Sequence, residues 1–204
     1  MVVGNPPVWD YLLCMWKELI TKSLREHPGA CLEGVEPYAR AAVAVLIRPD
    51  DAVLFIRRAE HENDPWSGHM ALPGGRVDPG DGGPEEAARR EVREEIGVDL
   101  SDAVLLGMLD QVASPDLAPR VCVSPFVFAL ADNPTLSIAK DEVASVHWYD
   151  MDMLFGGVGR GTFPFTYNGI DYELPCIDQE DRRIWGMTLR IVDDLLTRMR
   201  KHHS

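Results

Sequence analysis

Arg90, Glu91, Glu94 and Glu95 fall within six residues, and Gly97 follows them. Three carboxylates this close repel one another unless a cation sits among them, so the run points to a divalent ion and to phosphate chemistry. Pro84 suits the first turn of a helix, where its missing N–H costs nothing, and Gly97 is a natural residue just past a helix end. The spacing therefore predicts a helix over 84–96, with Glu85 and Glu86 at the positive end of its dipole. At 3.6 residues per turn, Glu91, Glu94 and Glu95 share an arc of about 100°. Ala87 is too small to block that arc, and Ala88, Val92 and Ile96 form an adjacent apolar stripe that would anchor the helix to a sheet. Hard oxygen ligands converging in this way suit Mg²⁺ or Mn²⁺ and leave room for water and substrate phosphate. Such an ion neutralises a diphosphate and can lower the pKa of a bound water so that hydroxide attacks phosphorus. The competing explanation is a solvated helix face stitched by ion pairs to Arg89, Arg90 and Arg93. The glycine-rich loop ahead of the helix weighs against it.

The elements that must position these groups follow from periodicity. Val8 to Glu26 reads as an amphipathic helix, with Leu12, Leu13, Trp16, Leu19, Ile20 and Leu24 at three- and four-residue intervals, ended by His27-Pro28-Gly29. Ala41 to Ile47 and Val53 to Arg58 are β-rich runs around Pro49-Asp50-Asp51, which predicts a hairpin. Glu60 to His69 is a polar loop. Val104 to Val112, Val121 to Leu130 and Val143 to Tyr149 read as strands, with Ser114 to Pro119 a loop by composition. Asn168-Gly169 between Phe163–Tyr167 and Ile170–Leu174 is a hairpin signal. A last helix is expected over Arg183 to Arg200, with Ile184, Met187, Ile191, Leu195 and Met199 along one side. The order gives one α/β domain, with residues 1–36 as an N-terminal helical extension and 37–204 as the main domain with its C-terminal helix.

Gly74-Gly75, then Arg90-Glu91-Val92-Arg93-Glu94-Glu95-Ile96-Gly97-Val98, resembles the Nudix hydrolase box, G-x5-E-x7-R-E-U-x-E-E-x-G-U with U aliphatic. The second half of that pattern is complete. In the first half Asp81 stands where the family has its first Glu, and the interval to Arg90 is one residue longer. This form is similar to that of coenzyme A diphosphatase-like members. Gly68 to Gly75 also resembles the G-x3-F-P-G-G part of their second signature, with Leu72 for Phe. Upstream, Arg58-Ala59 lies too far from Gly68 for that signature, and Asp64 stands in place of its second Arg. The wider resemblance covers roughly Ala41 to Tyr149. It implies an α/β/α sandwich around a mixed β-sheet, with additional N- and C-terminal helices, and Mg²⁺ or Mn²⁺ held by Glu91, Glu94, Glu95 and the Gly74 carbonyl. It further implies that Arg90 orients the carboxylates. Relatives place the general base variously, so Glu94 and Glu142 are both candidates for that role. Glu142 is a candidate for a metal role as well, because many relatives carry a Glu-Val pair at a strand entry. The implied reaction is cleavage of the diphosphate bridge of a nucleoside diphosphate joined to another moiety. For coenzyme A the products would be 3′,5′-ADP and 4′-phosphopantetheine. ADP-ribose, NADH or another dinucleotide is the alternative substrate, and a non-catalytic nucleotide-binding module the alternative class.

Outside the motif, Arg57, Arg58 and Arg120 are candidates for substrate phosphate, a task suited to the guanidinium. Trp66 could stack on a base or pack on its own domain. His61 and His69 flank the glycine loop and could titrate near neutrality. The 204 residues suffice for one domain with extensions. The net charge of −13 disfavours nucleic acid and anionic membranes as partners. Cys14, Cys31, Cys122 and Cys176 are scattered, which argues against a disulfide framework or structural zinc and for a cytoplasmic location. The N-terminus lacks a basic n-region, and Asp10, Lys17 and Glu18 interrupt its apolar run, so neither a signal peptide nor a membrane span is expected. Similar enzymes are commonly dimers, which leaves monomer and homodimer both open.

Overall fold

The β1–β2 hairpin organises the molecule. In a computed structural model, which describes residues 15–32, 39–62, 66–114, 121–167 and 169–203, β1 (Ala39–Ile47) and β2 (Ala52–Arg58) pair antiparallel with Ile47 opposite Val53. The turn closes through Arg48 N–H to the Ala52 carbonyl at 2.9 Å, with Asp51 at φ 59°. Both strands are apolar almost throughout because both faces are covered. Ala42, Ala44, Leu46, Leu54 and Ile56 face one buried layer, while Val45, Ile47, Val53 and Phe55 face the other.

Around the hairpin, β3 (Met70–Ala71) and β8 (Val143–Asp150) pair antiparallel with β2. β4 (Gly74–Arg76) pairs antiparallel with β1, and β7 (Val121–Ala129) runs parallel to β1 over its whole length. β5 (Val104–Met108) and β6 (Val112–Ala113) pair with β7, which completes a mixed eight-stranded sheet. The helix α2 (Pro84–Ile96) covers one face through Ala88, Val92 and Ile96. α1 (Met15–Glu26) and α4 (Gly186–His202) cover the other through Trp16, Ile20, Leu24, Ile191, Leu195 and Met199. The short α3 (Met151–Gly156) is capped by the Asp150 carboxylate, which accepts from the Asp152 and Met153 N–H groups. The result is the expected α/β/α sandwich around a mixed sheet. Among the described residues no helix is long and apolar enough to cross a membrane.

Two expectations need correction. The run expected as one strand over 104–112 breaks after Met108. There the register against β7 shifts near Gly107, and the chain turns to bind the segment after α1. Asp110 Oδ1 accepts from Ala30 N–H and Gln111 Oε1 from Leu32 N–H, both at 2.8 Å. The last helix begins at Gly186 rather than Arg183. Arg183 and Ile184 belong to β11 (Arg182–Trp185), which pairs with β10 (Ile170–Gln179) and, through it, β9 (Arg160–Tyr167) in a separate three-stranded sheet. Gly186 at φ 62° turns the chain from that strand into the helix. The β9–β10 hairpin has the expected register, Tyr167 opposite Ile170. Residues 1–14, which include the start of the first expected helix, lie outside the described residues, as do Arg120, Asp64 and most of the 114–119 loop.

Candidate active site

α2 carries the expected boundaries for the expected reasons. Pro84 opens it, the Glu86 carboxylate reaches back to Gly82 N–H at 2.7 Å, and Gly97, at φ 72°, closes it by donating to the Arg93 carbonyl. Glu95 lies between Glu91 and the apolar stripe and is 4% exposed. The side chain of Glu94, on the opposite flank, is 53% exposed. Three elements meet over the buried side. From β4, Gly74 N–H donates to Glu95 Oε2 at 2.9 Å. Gly75 leaves so little room that a Cβ there would stand 2.4 Å from Glu91 Oε1. From the entry to β8, Glu142 joins the pair. Its carbonyl accepts from Ala59 N–H at 2.9 Å, which fixes the segment to the end of β2. Carboxylate oxygens of Glu91, Glu95 and Glu142 lie within 4.8 Å of one another.

The electrostatics fit a site built for a cation. Burial pushes the Glu95 carboxyl up to about 8. The Gly74 N–H opposes that rise, the Glu91 and Glu142 charges add to it, and the positive charge of Arg58 again opposes it. Burial likewise raises the Glu91 carboxyl, against the pull of Arg90. Arg90 is the tether. Its Nε donates to Asp81 at 3.0 Å, its Nη1 to Glu91 at 2.9 Å and Glu94 at 2.8 Å, and its Nη2 to the Arg76 carbonyl at 2.9 Å. The hydrogen bond to Asp81 is the largest cause of a guanidinium held above its ordinary range, and Asp81 is correspondingly held low. Asp81, displaced by one residue from the family spacing, thus still reaches Arg90. The sequence carried Asp81 as a departure and gave no sign of this role.

The structure brings Glu91, Glu95, Glu142 and the Gly74 backbone together. It places Glu94 on the solvent side, paired with Arg90. Arg58 acts electrostatically on Glu95. Arg57 is turned away, donating from Nη1 to Asp181 at 3.0 Å and from Nε to the Gly68 carbonyl at 3.2 Å. His61 Nε2 donates to the Asp141 carbonyl at 2.6 Å, next to Glu142. Trp66 and His69 pack with Trp185, the ring centroids of Trp66 and Trp185 6.2 Å apart. An all-oxygen donor set of this kind fits a hard divalent ion.

A sandwich that gathers its carboxylates on a helix behind a Pro-Gly-Gly turn belongs to the class of α/β hydrolytic enzymes. Residues 37–166 match the NUDIX domain, and the chain is a member of the Nudix hydrolase family. It is 31% identical over 159 residues to the human mitochondrial coenzyme A diphosphatase NUDT8, a match covering 76% of this chain and 67% of that one. It is 39% identical over 104 residues to an uncharacterised protein of Schizosaccharomyces pombe. That match covers 48% of this chain and only 32% of the yeast protein. The crystal structure of a MutT protein from Methanosarcina mazei Go1 shares the fold at 21% identity with a TM-score of 0.55, covering 85% of this chain and 99% of that one.

Proposed function

We propose that this chain hydrolyses the diphosphate bridge of a nucleoside diphosphate derivative in the presence of Mg²⁺ or Mn²⁺, and that coenzyme A or one of its derivatives is the substrate. The observation that carries the reading is the convergence of Glu91, Glu95 and Glu142 within 4.8 Å under the Gly74–Gly75 turn. The likeness to a protein named as a coenzyme A diphosphatase supports the choice of substrate.

In this reading Glu91, Glu95 and the Gly74 carbonyl hold the ion, with Glu94 as a further ligand on the open side. When bound, a divalent cation supplies the charge that offsets both the carboxylates and the diphosphate, and it makes water more acidic. Arg90 keeps Glu91 and Glu94 oriented before substrate arrives, so little reorganisation remains at the moment of reaction. Water attacks one phosphorus, the bridging P–O bond breaks, and the proton passes to a carboxylate. Glu142, the exposed member of the cluster, is proposed for that task, and Glu94 is its alternative. Arg58 and Arg120 are proposed to meet the phosphates. The products from coenzyme A are 3′,5′-ADP and 4′-phosphopantetheine. We further propose a cytoplasmic site of action.

The test is a panel of coenzyme A, acyl-coenzyme A, ADP-ribose, NADH and dinucleoside polyphosphates, with each metal and with products identified by mass. Cleavage of coenzyme A to the two named products is expected. Preference for ADP-ribose or NADH would replace the substrate while keeping the chemistry. Binding without cleavage of any member would overturn the reading in favour of a regulatory nucleotide-binding module.

A further inference from the structure

A second group of metal-ligating side chains lies where α1 ends against α4. Arg198 fixes the junction. It is 7% exposed, donates to the His27 carbonyl, and pairs with Asp194 at 2.8 Å and Asp110 at 2.6 Å. One helical turn further on, His202 lies beside Glu26 and His27. A Glu26 carboxylate oxygen and one ring nitrogen from each histidine lie within 4.8 Å of one another. The two rings are 5.7 Å apart. The His202 side chain is only 10% exposed, and its Nε2 is enclosed with no hydrogen-bond partner among the described residues. Its Nδ1 stands 3.6 Å from Glu26 Oε2, too far for a hydrogen bond. A buried polar atom left in this state costs on the order of 1–3 kcal/mol, and a bound ion or water is one of the ways a native fold satisfies such a group.

We propose that Glu26, His27 and His202 form a second cation site, for a borderline transition-metal ion of the Zn²⁺ class, separate from the carboxylate cluster under Gly74. Two imidazole nitrogens and one carboxylate are a donor set that such ions favour, whereas the all-oxygen cluster suits Mg²⁺ or Mn²⁺. Tetrahedral coordination at zinc bond lengths separates donor atoms by roughly 3.3 Å, so the three need close by at most about 1.5 Å, with the fourth position left to water. Arg198 does not repel the ion strongly, since Asp110 and Asp194 balance its charge. The bound ion ties the end of α1 to the end of α4 and so fastens the N-terminal helix to the sandwich. His203 points elsewhere, stacking on Trp16 with ring centroids 5.5 Å apart.

The test is calorimetric titration of Zn²⁺ into the full chain, stripped with chelator and held in excess Mg²⁺ to occupy the oxygen site. Co²⁺ absorption in the visible then reports coordination geometry. One Zn²⁺ per chain is expected, with a tetrahedral Co²⁺ spectrum and a melting temperature raised by Zn²⁺. His27→Ala and His202→Ala should each weaken binding by at least about tenfold, the loss that even an outer-shell partner produces. His202→Gln serves where the alanine variant melts early. Binding should be unchanged in His203→Ala, which tests for adventitious capture by terminal histidines, and in Glu91→Gln, which separates this site from the catalytic one. No Zn²⁺ uptake in Mg²⁺, an equal loss in His203→Ala, or abolition by Glu91→Gln alone would overturn the proposal.

Discussion

Gly75→Ala should silence the enzyme without loosening the fold. A methyl at that position would lie 2.4 Å from Glu91 Oε1 and 2.5 Å from its Cδ, so the carboxylate must retreat by about 1 Å to reach an ordinary contact of 3.4 Å. A misplacement of about 1 Å in a catalytic constellation costs on the order of a hundredfold in rate, equivalent to about 2.7 kcal/mol of barrier. Stability should hold. Gly75 sits in the β1–β4 ladder opposite Ala42 without a positive φ, and the group it displaces is the end of a flexible side chain. Lost freedom in the unfolded chain even favours alanine by about 0.4–1 kcal/mol. The neighbouring Gly74→Ala is the contrast. Its Cβ would stand 2.2 Å from the Ala42 carbonyl and 2.6 Å from Val43 Cα, at φ 149°, so that variant should lose stability outright. The assay is the initial rate of diphosphate hydrolysis in saturating Mg²⁺, with products quantified by mass spectrometry, beside thermal melts of each variant. Shortening the acid in Gly75→Ala/Glu91→Asp should recover part of the loss, a non-additivity expected only of groups in contact. A Gly75→Ala enzyme with normal turnover and a normal melt would refute the claim that Glu91 works from its place beneath the turn.

Glu95→Gln should lower turnover at least about a hundredfold with the melting temperature preserved, because one of the converging oxygens is lost while the shape remains. Near-normal rates in both Glu94→Gln and Glu95→Gln would sink the metal-site assignment. Treatment with EDTA should abolish hydrolysis, and Mg²⁺ or Mn²⁺ should restore it; activity that survives thorough chelation would argue against cation dependence. Arg198→Ala leaves Asp194 without its buried partner and should cost about 3 kcal/mol, read as a fall of roughly 6–12 °C in melting temperature. Asp51 gives a pH signature. Burial, then the charges of Asp152, Asp50 and Asp150, push its carboxyl to about 7 from an ordinary 3.8, so the folded state binds the proton more tightly than the unfolded chain does. Its contribution is therefore fully present below about pH 4 and lost as pH rises through 7. After allowance for its partial exposure, Asp51→Asn should add about 1–2 kcal/mol at pH 8 and little at pH 4. Equal effects in denaturant melts at both pH values would exclude that origin.

The elements most legible in the sequence are those whose signals are local. Pro84 and Gly97 bound α2, and Tyr167 pairs with Ile170 as the hairpin signal between them predicts. The elements that escaped it depend on distant partners. Ile184, Met187 and Ile191 keep helical spacing, yet Ile184 is buried because Ile177 on β10 pairs with it, and nothing in the local pattern distinguishes that burial from a helix face. The break after Met108 has the same character. It exists because Asp110 and Gln111 hold the chain after α1, about eighty residues away in sequence.

The carboxylates divide along the same line. Helical period alone places Glu91, Glu94 and Glu95 on one arc, but the arc has two flanks, and the apolar stripe lies on only one of them. Glu95 sits on the stripe's side, so docking the helix on the sheet must bury it, while the same docking leaves Glu94 in solvent beside Arg90. The choice of which acids face each other was thus implicit in Ala88, Val92 and Ile96 as much as in the acids themselves. What no helix pattern contains is the third converging acid. Glu142 reaches Glu91 and Glu95 only because β8 pairs with β2, and Ala59 N–H at the end of β2 holds the Glu142 carbonyl. The box supplies two of the converging acids, and the sheet supplies the other.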